Sequence, residues 1–144
     1  MADLDGSRLE PPDSIIDAWK TAVVTVDVDG ARMDPREVAA QRHCLVHVVT
    51  AWNPGAIELD PESNDRATAA LEERLRQMGA RSLPARGRDE KSVWEEPGFA
   101  VVGRSREEMR ALAASFGQVA IFESDAEQTL IVWCASDRVI TKDR

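Results

Sequence analysis

The run Leu45-Val46-His47-Val48-Val49 constrains this chain more than any other stretch. It is short, mostly apolar and rich in β-branched residues, the pattern of a strand with both faces largely covered. It stops at Trp52-Asn53-Pro54-Gly55. Pro54 pushes Asn53 into extended backbone and donates nothing to a ladder, while Gly55 permits positive φ. Asn53 is thereby held at the end of a buried strand, where its amide both donates and accepts. The same amide serves equally as a stitch between the turn and its own backbone, a routine use of Asn.

Elements can be placed around that strand. Residues 1–12 are polar, end in Pro11-Pro12 and read as a flexible arm. Ile15, Ile16 and Trp19 after Asp13-Ser14 predict a short helix, and Thr21 to Val28 a strand with a turn at Asp29-Gly30. Met33 belongs to a brief return strand. Asp34-Pro35-Arg36-Glu37 has the cap, first-turn proline and closing glutamate of a helix start. Beyond the central turn, Asp60-Pro61-Glu62 opens a long helix whose Ala67, Ala70, Leu71, Leu75 and Met78 share one face, with Gly79 as its cap. Ala80 to Ala85 reads as a weak strand that Pro84 assigns to an edge or sheet margin, followed by a charged loop from Arg86 to Lys91. Phe99 to Val102 is a further strand, and Ser105-Arg106-Glu107-Glu108 a capping box ahead of the stripe Met109, Leu112, Ala113 and Phe116. Val119 to Phe122 and Leu130 to Cys134 form the last pair of strands.

From residue 44 to residue 122 the order is strand, helix, strand, strand, helix, strand. That predicts a ferredoxin-like split βαββαβ core of antiparallel strands with helices on one face, extended by extra N-terminal and C-terminal strands. Residues 13–144 are expected to form a single α+β domain. A fold of this kind leaves function open.

With 144 residues and an apolar fraction of 43%, the chain can bury a core without disulfides or metal. Its net charge of −8 disfavours general binding to nucleic acid or anionic membrane, which relies on Lys and Arg. Cys44 and Cys134 sit in apolar runs and read as buried thiols of a reducing compartment, so a cytoplasmic location is expected. No apolar stretch approaches the roughly 20 residues of a membrane span. His43 and His47 are four apart but in or beside a strand, so they are assigned to core or surface rather than to a metal. No cofactor is implied.

Several motifs taken together carry a resemblance. Thr50-Ala51-Trp52-Asn53-Pro54 is followed by Asn64 and Arg66, then by Pro84-Ala85-Arg86-Gly87. Trp94-Glu95-Glu96-Pro97-Gly98-Phe99 and Phe116-Gly117-Gln118-Val119-Ala120-Ile121-Phe122 complete the set. Their order and spacing resemble the small bacterial proteins of the DUF3293 family, over about residues 15–122. Gly98 stands where that resemblance leads one to expect a small hydroxyl residue, and Asp27 to His43 matches poorly. The resemblance implies membership and no activity.

The candidate ligand-binding residues are Asn53, Asn64, Arg66, Trp94, Glu96 and Gln118. Amide, guanidinium and carboxylate together suit a small, planar, polar or anionic ligand, and Trp52 or Trp94 offers a stacking face. The same residues also make ordinary turns, caps and ion pairs. Glu96 beside Trp94 and Pro97 is the one candidate base, which leaves a small hydrolase or transferase as the thinner alternative. The other alternative is a protein-interaction module acting through acidic surface such as Glu72-Glu73 and Glu107-Glu108.

Overall fold

Three of the four helices among the described residues begin where a side chain satisfies an orphan backbone N–H. Asp34 and Ser105 close full capping boxes, and Asp60 accepts from the Ser63 N–H. The computed structural model describes residues 10–53, 58–89 and 95–143. Its elements are α1 (Asp13–Thr21), β1 (Val23–Val28), β2 (Ala31–Met33), α2 (Pro35–Arg42), β3 (Val46–Val49) and α3 (Pro61–Gln77). Then come β4 (Arg81–Arg88), β5 (Glu95–Val102), α4 (Arg106–Ser115), β6 (Ala120–Ser124), β7 (Thr129–Trp133) and β8 (Val139–Thr141). The eight strands form one sheet in the order β2-β1-β4-β5-β3-β6-β7-β8, and every neighbouring pair is antiparallel. The architecture is α+β.

All four residues of β3 are buried, as its apolar run requires, and they divide between two cores. Val49 packs with Leu71 and Leu75 of α3, Met109 and Leu112 of α4, and Phe99 and Val101 of β5. Val46 and Val48 pack on the opposite face with Val38 and Ala39 of α2, Val26 and Ala100. Further along that second face α1 lays Ile16 against Ile131 and Trp133. Burying each large apolar side chain of this kind contributes about 1.5–3 kcal/mol.

Three expectations need correction. β4 is not at the sheet margin but lies between β1 and β5, and Arg86 to Arg88 belong to it rather than to a loop. β5 begins at Glu95, four residues before the expected strand. Prolines are tolerated in both strands because each falls in a half that is paired on one side only. β1 reaches β4 from Ala85 onward, leaving Pro84 outside, and β3 reaches β5 from Phe99 onward, leaving Pro97 outside. β8 has no counterpart among the expected strands; it is three residues long and follows a turn of exposed residues.

Of the expected arm, residues 1–9 lie outside the described residues, while the Glu10 carboxylate accepts from Arg138. Cys44 and Cys134 are free thiols, and burial pushes that of Cys134 up to about 11. No helix of the described residues is long and apolar enough to cross a membrane.

Candidate functional site

Gly87 of β4 pairs with Val24 of β1 on one side and Glu96 of β5 on the other. Cross-strand neighbours share a face, so a side chain at 87 would stand between those of Val24 and Glu96. There is none, and a Cβ built at Gly87 meets nothing within 4 Å. The space belongs to a cavity of about 350 Å³ between the sheet and α1, lined by all three of these residues.

The roof of the cavity is α1, which contributes Ile15, Ala18 and Trp19. Trp19 is held edge-on by Trp133 of β7, with ring centroids 5.9 Å apart and planes at 70°. The end of the helix is tied down by the Asp143 N–H, which donates to the Lys20 carbonyl at 3.1 Å. The floor depends on a second glycine. At Gly98 a Cβ would lie 2.5 Å from the Val49 carbonyl oxygen, so only glycine lets the end of β3 pass so close to β5. The small hydroxyl residue expected there has no room.

Glu96 is the carboxylate of this cavity. Burial pushes it up to about 7, and its contact with Thr50 pulls the other way. The Thr50 hydroxyl also donates to the Pro97 carbonyl at 2.9 Å and accepts from the Trp52 N–H at 3.1 Å. Among the described residues no Lys, Arg or His forms an ion pair with Glu96. Arg86, which also lines the cavity, pairs with Glu95 at 3.4 Å.

Asn53 lines the cavity, and its backbone is not extended as the following proline predicts but has φ +46°, a left-handed conformation that Asn tolerates better than most residues. Its N–H donates to Asn64 Oδ1 at 3.0 Å, and its own Oδ1 accepts from Asn64 Nδ2 at 2.9 Å and from the Leu59 N–H at 3.0 Å. Asn64, 2% exposed, is therefore a staple between the turn and α3. Gln118 reaches the same turn, donating from Nε2 to the Trp52 carbonyl at 3.0 Å. The Trp52 indole N–H is buried with no partner among the described residues.

The six sequence candidates thus separate. Asn53, Glu96 and Gln118 line the cavity, and Asn64 supports it from behind. Arg66 does not line it; its side chain is 68% exposed and pairs with Glu62 at 3.3 Å. Trp94 lies outside the described residues. Trp19, Thr50 and Gly87 also line the cavity, and nothing local in the sequence marks them as site residues. Only the strand pairing of a segment that looks like a charged loop brings Gly87 opposite Glu96.

A second polar cluster lies on the other face. His47 of β3 is 0% exposed, and its Nε2 lies 2.8 Å from Glu123 Oε2. Arg106, the first residue of α4, donates to both Glu123 oxygens at 3.0 and 2.7 Å. Burial raises the Glu123 carboxyl, but the hydrogen bonds from Arg106 and His47 outweigh it and hold it below its ordinary value. Burial lowers His47 more than Glu123 raises it, so the imidazole is neutral with its proton on Nε2. Its buried Nδ1 has no partner. The cluster ties α4 to the sheet. Among the described residues there is no group of three or more His, Cys, Asp or Glu able to hold a metal.

The DUF3293 family model, described as a protein of unknown function, matches residues 49–121. That span holds Thr50, Asn53, Glu96 and Gln118 but not the α1 roof. No curated protein matches the chain, and no solved structure does.

Proposed function

We propose that this chain, which belongs to the DUF3293 family, binds a small molecule in the cavity between α1 and the sheet. The observation that carries this is a carboxyl, Glu96, which has no counter-charge among the described residues and stands beside open space in a largely apolar cavity. Ligand pockets commonly combine apolar walls with a few convergent polar groups and a perturbed ionisable one. The ligand would place an apolar body against Trp19, Trp52 and Phe122 and a polar head at Glu96, with Asn53 and Gln118 at the rim. Binding is favoured over hydrolysis or transfer because the adjacent Thr50 hydroxyl is committed to Pro97 and Trp52.

We also read the unit from β3 to β6 as a ferredoxin-like split βαββαβ. The support is the order β6-β3-β5-β4 and the packing of α3 and α4 in one core. Docking through acidic surface has less support. Glu73 pairs with Arg76, Glu107 with Arg110 and Glu108 with Arg104, so of Glu72, Glu73, Glu107 and Glu108 three are locally balanced.

The test is a thermal-shift screen of apolar compounds with varied polar heads, run on the wild type and on Gly87→Val. A valine at 87 projects into the open space and suits a strand better than glycine does. Its Tm should therefore equal or exceed that of the wild type. Ligand at 100 times its Kd should stabilise the wild type by about 2.7 kcal/mol, a shift of several degrees, and Gly87→Val should lose that shift. Equal shifts in both proteins, or none in the wild type, would sink the proposal.

A further inference from the structure

We propose that the occupant of this cavity is an organic cation, an apolar or aromatic amine whose ammonium group meets Glu96. This rests on the cavity being a ligand site and adds the charge of the ligand. The first support is charge balance. Among the described residues the charged side chains lining the cavity are Glu96 on β5, Arg86 on β4 and Asp89 just beyond it; α1, β1, β3, β6 and β7 contribute none. Arg86 is matched by Glu95, and no cationic side chain among the described residues pairs with Glu96. An anionic ligand would face the Glu96 carboxylate across a low-dielectric space, whereas an ammonium would supply it with a counter-charge.

The second support is the wall chemistry. Trp19, Trp52 and Phe122 line one cavity, and ring faces attract ammonium groups once water is excluded; the Lys142 ammonium already lies 5.9 Å from the Phe122 ring centroid, which leaves the two indoles for a ligand. The third is room. The position facing Glu96 across the β4–β5 pair is Gly87, where a Cβ meets nothing within 4 Å. A ligand head can therefore reach the carboxyl from the side without displacing a protein group. Burial pushes Glu96 up to about 7, as befits a carboxylate whose cation arrives from outside.

The experiment compares three probes of one ring system by calorimetric titration at pH 8: tryptamine (cationic), indole-3-propionate (anionic) and 3-methylindole (neutral). The proteins are the wild type, Glu96→Gln and Gly87→Val. Tryptamine should bind the wild type at least tenfold more tightly than either other probe. Glu96→Gln should erase that preference by weakening tryptamine alone, and Gly87→Val should weaken all probes. Between pH 7 and pH 5 tryptamine affinity should fall progressively, approaching tenfold per unit, as Glu96 takes up a proton. The same fall in Glu96→Gln would overturn the assignment of charge. So would preference for the anionic or neutral probe, although sensitivity of that probe to Gly87→Val would leave the cavity standing as a site. Binding of no probe to the wild type overturns the cation assignment, and the broader screen above then decides the cavity separately.

Discussion

A methyl group added at Gly98 would meet the Val49 carbonyl oxygen at 2.5 Å, and that oxygen is backbone, so relief requires moving the end of β3. Gly98→Ala should therefore destabilise the fold by about 1–3 kcal/mol, read as a lower urea midpoint at unchanged slope. An unchanged midpoint would mean that β3 yields freely. Asn64 makes a complementary prediction. Asn64→Ala leaves the Asn53 N–H without its acceptor and should cost about 1–3 kcal/mol in the same assay. It should also weaken binding in the cavity, because Asn53 lines it. Arg66→Ala removes an exposed ion pair to Glu62 and an exposed hydrogen bond to the Ser63 hydroxyl, and should stay within about 0.5 kcal/mol of the wild type, with ligand affinity unaltered. The sequence alone treats Arg66 and Asn64 alike, since both head the same helix. Their difference in direction, one toward the turn and one toward solvent, depends on how α3 is rotated against the sheet.

At the level of elements, the parts that announce themselves in sequence are those governed by local chemistry. Asp34-Pro35-Arg36-Glu37 and Ser105-Arg106-Glu107-Glu108 close capping boxes because the side chain and the N–H it serves lie within one turn. Ser105→Ala should accordingly cost about 1 kcal/mol. Circular dichroism at matched urea should show a loss of helix signal confined to the transition. What stayed hidden depends on partners distant in sequence. Arg86-Gly87-Arg88 looks like a loop until β1 and β5 pair with it, and Glu95-Glu96-Pro97-Gly98 looks like a turn until β4 does. The cavity inherits that invisibility, since its empty position is a glycine read from inside a strand. His47 reads in sequence as core or surface, and the partners that settle it, Glu123 and Arg106, lie far along the chain.

Across the whole molecule a half-buried carboxyl and a buried imidazole oppose each other as pH changes. Glu96 is raised to about 7, so between the unfolded value of 4.5 and 7 the folded state holds a proton that the unfolded state has lost. Stability from this group therefore falls as pH rises through that window, by about 3 kcal/mol at most. His47 is lowered, so below 6.5 the unfolded state gains a proton that the folded state refuses, and stability falls as pH drops. Glu123, also lowered, adds to the loss on the acid side. Glu96→Gln should thus be the more stable protein at pH 8, by roughly 1–3 kcal/mol, with the advantage gone by pH 4.5. Urea titrations at the two pH values check the sign. The outer strands of the sheet carry a different consequence. β2 and β8 close its two ends and are three residues each, so a neighbouring chain meets only a short ladder at either side. Short edges are one of the devices by which β proteins resist joining sheet to sheet. In a crowded, concentrated solution this eight-stranded surface therefore offers little template for runaway aggregation.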